Sequence, residues 1–255
     1  MNLPPDRLNR FARHIVLPEI GGAGQAVLAQ ASVTLIGVGG IGSPALQYLA
    51  AAGIGSLVLV DDDRVEESNL QRQTIYRAES VGQGKAAAAA NWGGAFDPAL
   101  NVRAVTERIT AANAADLIAG THLVLDGCDN FATRLAVSDA CVAANVPLLS
   151  AAVGRFQGQV GAFAGHMADQ PCYRCYVGDA FDADDCDTCA EDGMLGAMAG
   201  WAGTFAAMQA VRVLLAPVGG MGDPQWGKLH VLDGLVPALR TMRIAKDPEC
   251  GACFR

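Results

Sequence analysis

Residues 32–63, SVTLIGVGGIGSPALQYLAAAGIGSLVLVDDD, constrain the fold more than any other stretch of the chain. An apolar run of strand length, 33–36, passes directly into Gly37-Val-Gly39-Gly40-Ile-Gly42. Ser43-Pro44 then supplies N-cap and first-turn chemistry for an apolar helix that stops near Gly53. A second apolar run, 57–60, ends on Asp61. Strand, glycine turn, helix, strand and acid in this order predict a nucleotide-binding β-α-β unit. The glycines let the main chain approach a phosphate chain, the helix N-terminus offers unpaired N–H groups, and the acid can take ribose hydroxyls. The alternative is a purely structural glycine turn. Nothing in the stretch names the nucleotide.

The alternation of elements continues along the chain. Residues 1–30 read as a helical segment with Arg7, Arg10 and Arg13 on a solvated basic face, closed at Leu17-Pro18, before a turn at Gly21-Gly22. Lys85 opens an alanine-rich helix, strands are expected at 102–106, 122–125 and 147–151, and helices at 111–119 and 131–144. From Arg155 the pattern changes: RFQGQVGAFAG alternates like an antiparallel strand suited to the edge of a mixed sheet. A long apolar helix over 194–215 and two late strands, 228–232 and 239–244, complete the reading. The predicted fold class is α/β: a Rossmann-like mixed sheet, mainly parallel with antiparallel C-terminal strands, and helices on both faces. No internal repeat and no Pro- or Ser-rich linker divides it.

Composition excludes some functions. A net charge of −8 argues against a nucleic-acid surface. Gly, Gln and Arg interrupt every candidate apolar run of transmembrane length, and MNLPPDRLNRF lacks the apolar core of a signal peptide. A soluble, cytoplasmic protein without membrane partners is expected. There, eight cysteines point to metal or thiol chemistry sooner than to structural disulfides.

Several polar groups fall where ligands of open α/β sheets sit, past the C-terminal ends of strands. Ser68-Asn69 and Gln71-Arg72-Gln73 lie in the loop after the second strand, and Lys85 follows Gly82 and Gly84. Arg72 and Lys85 at the mouth of a phosphate loop would neutralise a triphosphate; otherwise they are solvated charge. Asp129, in Asp126-Gly-Cys128-Asp129-Asn130, is either a helix N-cap or a carboxylate for Mg²⁺. Three CxxC pairs occur: Cys172/Cys175, Cys186/Cys189 and Cys250/Cys253. Two such turns make a closed four-thiolate zinc site, and the leftover pair could be a redox dithiol or hold a nucleophile. On spacing alone, Cys172/Cys175 could meet either of the other pairs. Cys128 and Cys141 read as small core residues, and His14, His122, His166 and His230 form no ligand spacing.

The order RFARHIVLPEIG, GVGGIG, LVDDD, SNLQRQ, VGQGK, DGCDN, CYRC, TCAEDGM and CGAC resembles the ThiF/MoeB/HesA adenylyltransferases, bacterial relatives of ubiquitin-activating E1 enzymes, over nearly the whole chain. The resemblance implies one adenylation domain over 1–255: an N-terminal helical segment (1–30), a nucleotide-binding half (31–150) and a carrier-binding half with the zinc site (151–255). It implies use of ATP and Mg²⁺ to adenylate the C-terminal Gly-Gly of a small ubiquitin-like sulfur carrier, with release of pyrophosphate, as activation for thiocarboxylate formation. Molybdopterin biosynthesis is the expected pathway, with thiamine as the alternative. Implied nucleotide contacts are Gly37, Gly39, Gly40, Gly42, Asp61, Asp63, Asn69, Arg72, Gln73, Lys85, Asp129 and Asn130. Implied catalytic groups are Arg13, Arg72, Lys85 and Asp129, the last holding Mg²⁺. Arg13 matches an arginine finger that crosses into the partner subunit of a homodimer. Cys172, Cys175, Cys250 and Cys253 match the zinc ligands.

Cys189 matches a cysteine that some members use for sulfur transfer or a thioester. Its acidic loop, 182–192, should raise the thiol pKa, so adenylation is expected not to need it. Cys186 beside it is unusual for the family and could form a disulfide with it. Cys128 stands for the usual Thr, Gly84 for the usual Pro and His14 for the usual Gln, and none of these removes a charged group. No rhodanese-like domain follows Cys253, so a separate sulfur donor protein is expected. Two rival functions remain at this level. An NAD-dependent oxidoreductase would explain Asp61 but leave Arg72, Lys85, Asp129 and the cysteines without a role. A zinc-stapled scaffold that binds a ubiquitin-like partner would leave the phosphate-binding set unexplained.

Overall fold

A computed structural model describes residues 4–178 and 193–254. Its sheet grows outward from β1 (Ser32–Ile36), whose neighbours are β2 (Ser56–Val60) and β4 (Leu123–Asp126). Beyond them lie β3 (Asn101–Val105) on one side and β5 (Leu148–Gly154), β6 (Gln157–Phe163), β7 (Lys228–Asp233) and β8 (Ala238–Arg243) on the other. The eight strands run in the order β3-β2-β1-β4-β5-β6-β7-β8. The first five are parallel, and β6 to β8 are antiparallel. The architecture is therefore the predicted Rossmann-like mixed sheet.

Continuous apolar strands make sense here because both faces are covered. Val33 and Leu35 of β1, Leu57 and Leu59 of β2 and Leu123 and Leu125 of β4 point into one core. Helices α4 (Gly42–Ala52), α5 (Lys85–Phe96) and α9 (Gly196–Leu215) close it. Ile36, Val60 and Val124, one residue out of phase, meet the second core. There α6 (Ala114–Ile118), α7 (Phe131–Ala144) and α8 (Tyr173–Val177) pack.

Four expectations are corrected. First, β6 is not an edge strand; it pairs with β5 and β7, and the edges are β3 and β8. Its alternation reflects antiparallel pairing with a neighbour on each side. Second, α4 starts at Gly42 with Ile41 in the N-cap position, so Ser43-Pro44 lie inside the first turn. The Ser43 hydroxyl donates to the Val38 carbonyl at 3.3 Å instead of capping an amide. Third, α9 is long and apolar enough, by length and composition, to cross a membrane. It is a core helix here: Ala202, Ala206 and Ala210 are fully buried, and half of its most apolar window is enclosed by the protein. Fourth, the N-terminal arginines are not all solvated. The segment forms α1 (Pro5–Arg10) and α2 (Ala12–Ile15), and Gly21-Gly22 opens α3 (Gly21–Gln30) instead of making a turn.

The Arg7 guanidinium donates to both oxygens of buried Asp97, at 2.7 and 2.6 Å, and Arg10 lies 3.6 Å from the same carboxylate. Arg7 also covers the Phe11 ring and Arg10 the Phe96 ring. Burial alone would raise the Asp97 pKa, but hydrogen bonds from Arg7 and the Ala99 N–H outweigh it and hold the carboxyl below its ordinary value. This depressed folded-state pKa stabilises the protein above about pH 4 and is lost as pH falls through the folded value. Asp97→Asn should therefore lose about 1.5–3 kcal/mol near neutral pH, the range for hydrogen bonds to charged groups. Urea unfolding at a series of pH values should show that difference vanish once Asp97 is protonated in the native protein.

Candidate active site

Strand order reverses around β1, so the chains leaving β1 and β4 diverge and open a crevice above the carboxyl ends of the sheet. The cleft there has a volume of about 720 Å³. Its walls are the glycine turn after β1, the 61–73 segment after β2, and the 127–130 loop after β4. All the residues expected at the nucleotide, Gly42 apart, line it: Gly37, Gly39, Gly40, Asp61, Asp63, Asn69, Arg72, Gln73, Lys85, Asp129 and Asn130. Gly42 lies just beneath, as the first residue of α4.

The glycine turn is dictated by close approach. A Cβ on Gly42 would sit 2.0 Å from the Gly37 carbonyl oxygen, and Gly37 itself has a φ of +78°. The N-terminus of α4 is thereby brought over the end of β1, with its partial positive charge toward the cleft. Asp61 braces the turn. Its Oδ2 accepts the Val38 N–H at 2.7 Å and its Oδ1 the Asp63 N–H at 3.0 Å. Burial raises the Asp61 pKa, with Lys85 and these two N–H groups opposing the rise. Lone pairs remain on both oxygens for a hydroxyl donor.

The cations are placed differently from each other. Lys85 is buried, and its ammonium donates to Asp63 at 2.8 Å. Arg72 is half-buried and spends one N–H on the Ser68 carbonyl at 3.0 Å. Buried Asn69 caps its own turn by accepting the Glu66 N–H at 3.2 Å. Gln73 is buried, and its Oε1 has no hydrogen-bond partner among the described residues. Asp129 is not the N-cap of the helix that follows it. Asn130 Oδ1 takes the Thr133 N–H at 2.9 Å and is the N-cap of α7. Asp129 is exposed on the cleft wall and bonds to no other described residue. Arg13 is exposed on α2 and does not line the cleft of its own chain.

Two contributors escaped the sequence reading. Tyr76 donates its buried hydroxyl to the carbonyls of Val38 and Lys85, at 2.9 and 3.2 Å, tying the glycine turn to the start of α5. Arg134 is buried under the 127–130 loop. An arginine within an otherwise apolar helical face, one turn after an Asp-rich strand end, was the available signal.

A second cluster lies away from the cleft. The sulfurs of Cys172, Cys175, Cys250 and Cys253 fall within 4.8 Å of one another. Cys172–Cys175, Cys172–Cys250 and Cys175–Cys253 are 3.8, 3.6 and 3.4 Å apart. Four thiolates at a Zn–S distance of about 2.3 Å sit about 3.8 Å apart along a tetrahedron edge, so the donor set and spacing fit zinc. Cys186 and Cys189 lie outside the described residues. Cys141 is a core residue, and Cys128 is half-buried in the cleft wall.

Residues 11–252 match the ThiF family. The chain is 37% identical to the SAMP-activating enzyme E1 of Haloferax volcanii, covering 99% of this chain and 91% of that protein. It is 39% identical to the sulfur carrier protein adenylyltransferase of Thermus thermophilus, covering 99% and 93%. It is also 39% identical to the adenylyltransferase and sulfurtransferase MOCS3 of Sus scrofa, covering 98% of this chain but 54% of that one. Among solved structures, E. coli MccB with MccA-N7isoASN superimposes with a TM-score of 0.84 over 97% of this chain and 75% of that chain, at 18% identity, a likeness of fold alone. Fold and relatives define the class as E1-like adenylyltransferases. The chain belongs to the ThiF family.

Because Gly42 meets backbone and not a movable side chain, Gly42→Ala must displace the turn. It should destabilise the protein by about 1–3 kcal/mol, as overpacking does. Urea unfolding would measure the loss, and calorimetric titration should find weaker ATP binding.

Proposed function

We propose that the protein uses ATP to adenylate the C-terminal Gly-Gly carboxylate of a small ubiquitin-like sulfur carrier, as activation for thiocarboxylate formation in molybdopterin biosynthesis. The observation that carries this reading is the convergence of the α4 N-terminus, Arg72, Lys85 and Asp129, unpartnered among the described residues, on one cleft. The names of the Haloferax and Thermus relatives support the carrier as partner. A carrier carboxylate oxygen attacks the α-phosphorus, the bond to the bridging oxygen breaks, and pyrophosphate leaves. Such a step needs alignment and charge neutralisation more than covalent help. Asp61 would accept the ribose hydroxyls, Asn69 and Arg72 would hold phosphate oxygens, and Lys85 would exchange Asp63 for them. Asp129 would hold Mg²⁺, which when bound neutralises phosphate charge. The oxidoreductase rival explains none of these cations.

The residues 151–255 would present the carrier, and Cys172, Cys175, Cys250 and Cys253 would hold a structural zinc. Sulfur would come from a separate protein. The exposure of Arg13 outside its own cleft supports its action across a homodimer.

Purified protein should exchange pyrophosphate into ATP only with a Gly-Gly carrier and should reduce no NAD; carrier-independent inertness toward ATP would sink the reading. Which Gly-Gly protein a pull-down from the source cell retains decides between molybdopterin and thiamine carriers. For the dimer, chains bearing Arg13→Ala and Asp129→Ala should recover part of the activity when mixed, because one site regains both residues. Absence of recovery in demonstrated heterodimers would place Arg13 in its own chain's site or outside the reaction. For the metal, Cys250→Ser should lose zinc and stability together; retention there, with loss in Cys186→Ser, would reassign the ligands.

A further inference from the structure

Arg134, buried beneath the cleft in the first turn of α7, has no part in the chemistry above. Its Nη1 donates to Ser150 Oγ at 2.9 Å and lies 3.5 Å from Asp126 Oδ2. Its Nη2 donates to the Ala151 carbonyl at 2.9 Å and to the carbonyl of Cys128. The guanidinium thus joins the end of β4, the middle of β5 and the loop between β4 and α7. Asp126, fully buried, takes the Cys128 N–H on its Oδ1 at 3.0 Å. One ion pair therefore holds both main-chain groups of Cys128, the amide by its acid and the carbonyl by its base.

Cys128 is the residue before Asp129, and Asn130 after it is fixed as the N-cap of α7. Asp129 bonds to no described residue, so the direction of its Cβ is set by the main chain that these two neighbours hold. Burial of charge is a poor source of stability, since apolar replacements of equal volume are often neutral. A geometric role gives the pair a function that packing would not supply.

We propose that Arg134 is a positioning residue: by gripping the Cys128 carbonyl it sets the direction in which Asp129 meets the divalent cation of bound ATP. The inference rests on the adenylation reading given above. Lysine at 134 keeps a charge near Asp126 but lacks the planar fork that reaches Ser150, Ala151 and Cys128 together.

The test compares wild type, Arg134→Lys and Asp129→Ala in pyrophosphate exchange at varied Mg²⁺, with Mn²⁺ binding in the presence of a non-hydrolysable ATP analogue followed by electron paramagnetic resonance. In Arg134→Lys the half-saturating Mg²⁺ and the Mn²⁺ dissociation constant should both rise about tenfold or more, as for other supports of metal ligands. The KM for ATP at saturating Mg²⁺ and the zinc content should stay as in wild type. If Arg134→Lys does not fold, Arg134→Met combined with Asp126→Leu removes the pair without leaving a charge, and the same metal defect is expected. Unaltered metal dependence in a folded variant, while Asp129→Ala shifts it, would overturn the proposal. So would a uniform rate loss at every Mg²⁺ concentration that tracks a lower Tm. If Asp129→Ala itself leaves metal dependence unchanged in an active enzyme, the assignment of Asp129 fails and this inference fails with it; if wild type shows no exchange, the adenylation reading fails first.

Discussion

The contact between Gly42 and the Gly37 carbonyl, with no room for a side chain between them, sets where α4 begins. A helix started any later would carry its positive end away from the end of β1. From this contact the cleft is assembled outward: Asp61 holds the amide of Val38, and Tyr76 holds its carbonyl together with that of Lys85. The turn is therefore braced on both sides by polar side chains before any ligand arrives. Such preorganisation is what a reaction limited by alignment and charge requires.

Charge in this acidic chain is spent in pairs. Asp97 takes Arg7, Asp63 takes Lys85 and Asp126 takes Arg134. These pairs differ in what they can do. The Asp97 pair fastens the N-terminal helices to the end of α5. The Lys85 pair has a buried base and an exposed acid, so a phosphate can replace the acid without uncovering the core. The Asp126 pair is buried on both sides; burial would lower the Arg134 pKa, but the adjacent carboxylate raises it, so the guanidinium stays charged.

The cysteine cluster closes a much longer loop. Cys172 and Cys250 are 78 positions apart, and their approach folds the tail after β8 back onto α8. The entropy of closing a loop grows only logarithmically with its length, so a metal clip at this separation is thermodynamically reasonable. Asp139 of α7 receives Arg174 at 2.7 and 2.8 Å, which fixes α8 against the helix that Asn130 caps. The tail, α8 and the cleft floor thus share one support.

Local pattern was enough for the strand-turn-helix-strand-acid unit, for α7 and for the parallel half of the sheet. There apolar runs, glycines and strand-end acids lie within a few residues of the partners that define them. The motif string was likewise enough to find the family, and most of the residues it named line one cleft. What local pattern could not supply was anything set by residues far apart. Solvated arginines and arginines on Asp97 have the same sequence. An alternating strand reads the same at an edge as in the interior, since only the arrival of β7 removes the edge. Whether Asp129 capped α7 depended on where α7 turned relative to β4. The pairing of Cys172/Cys175 was open on spacing, because it depends on where the chain after β8 returns. Short-range hydrogen bonding and periodicity are written along the chain, whereas burial, ion pairing and strand neighbours come into being only when distant segments meet.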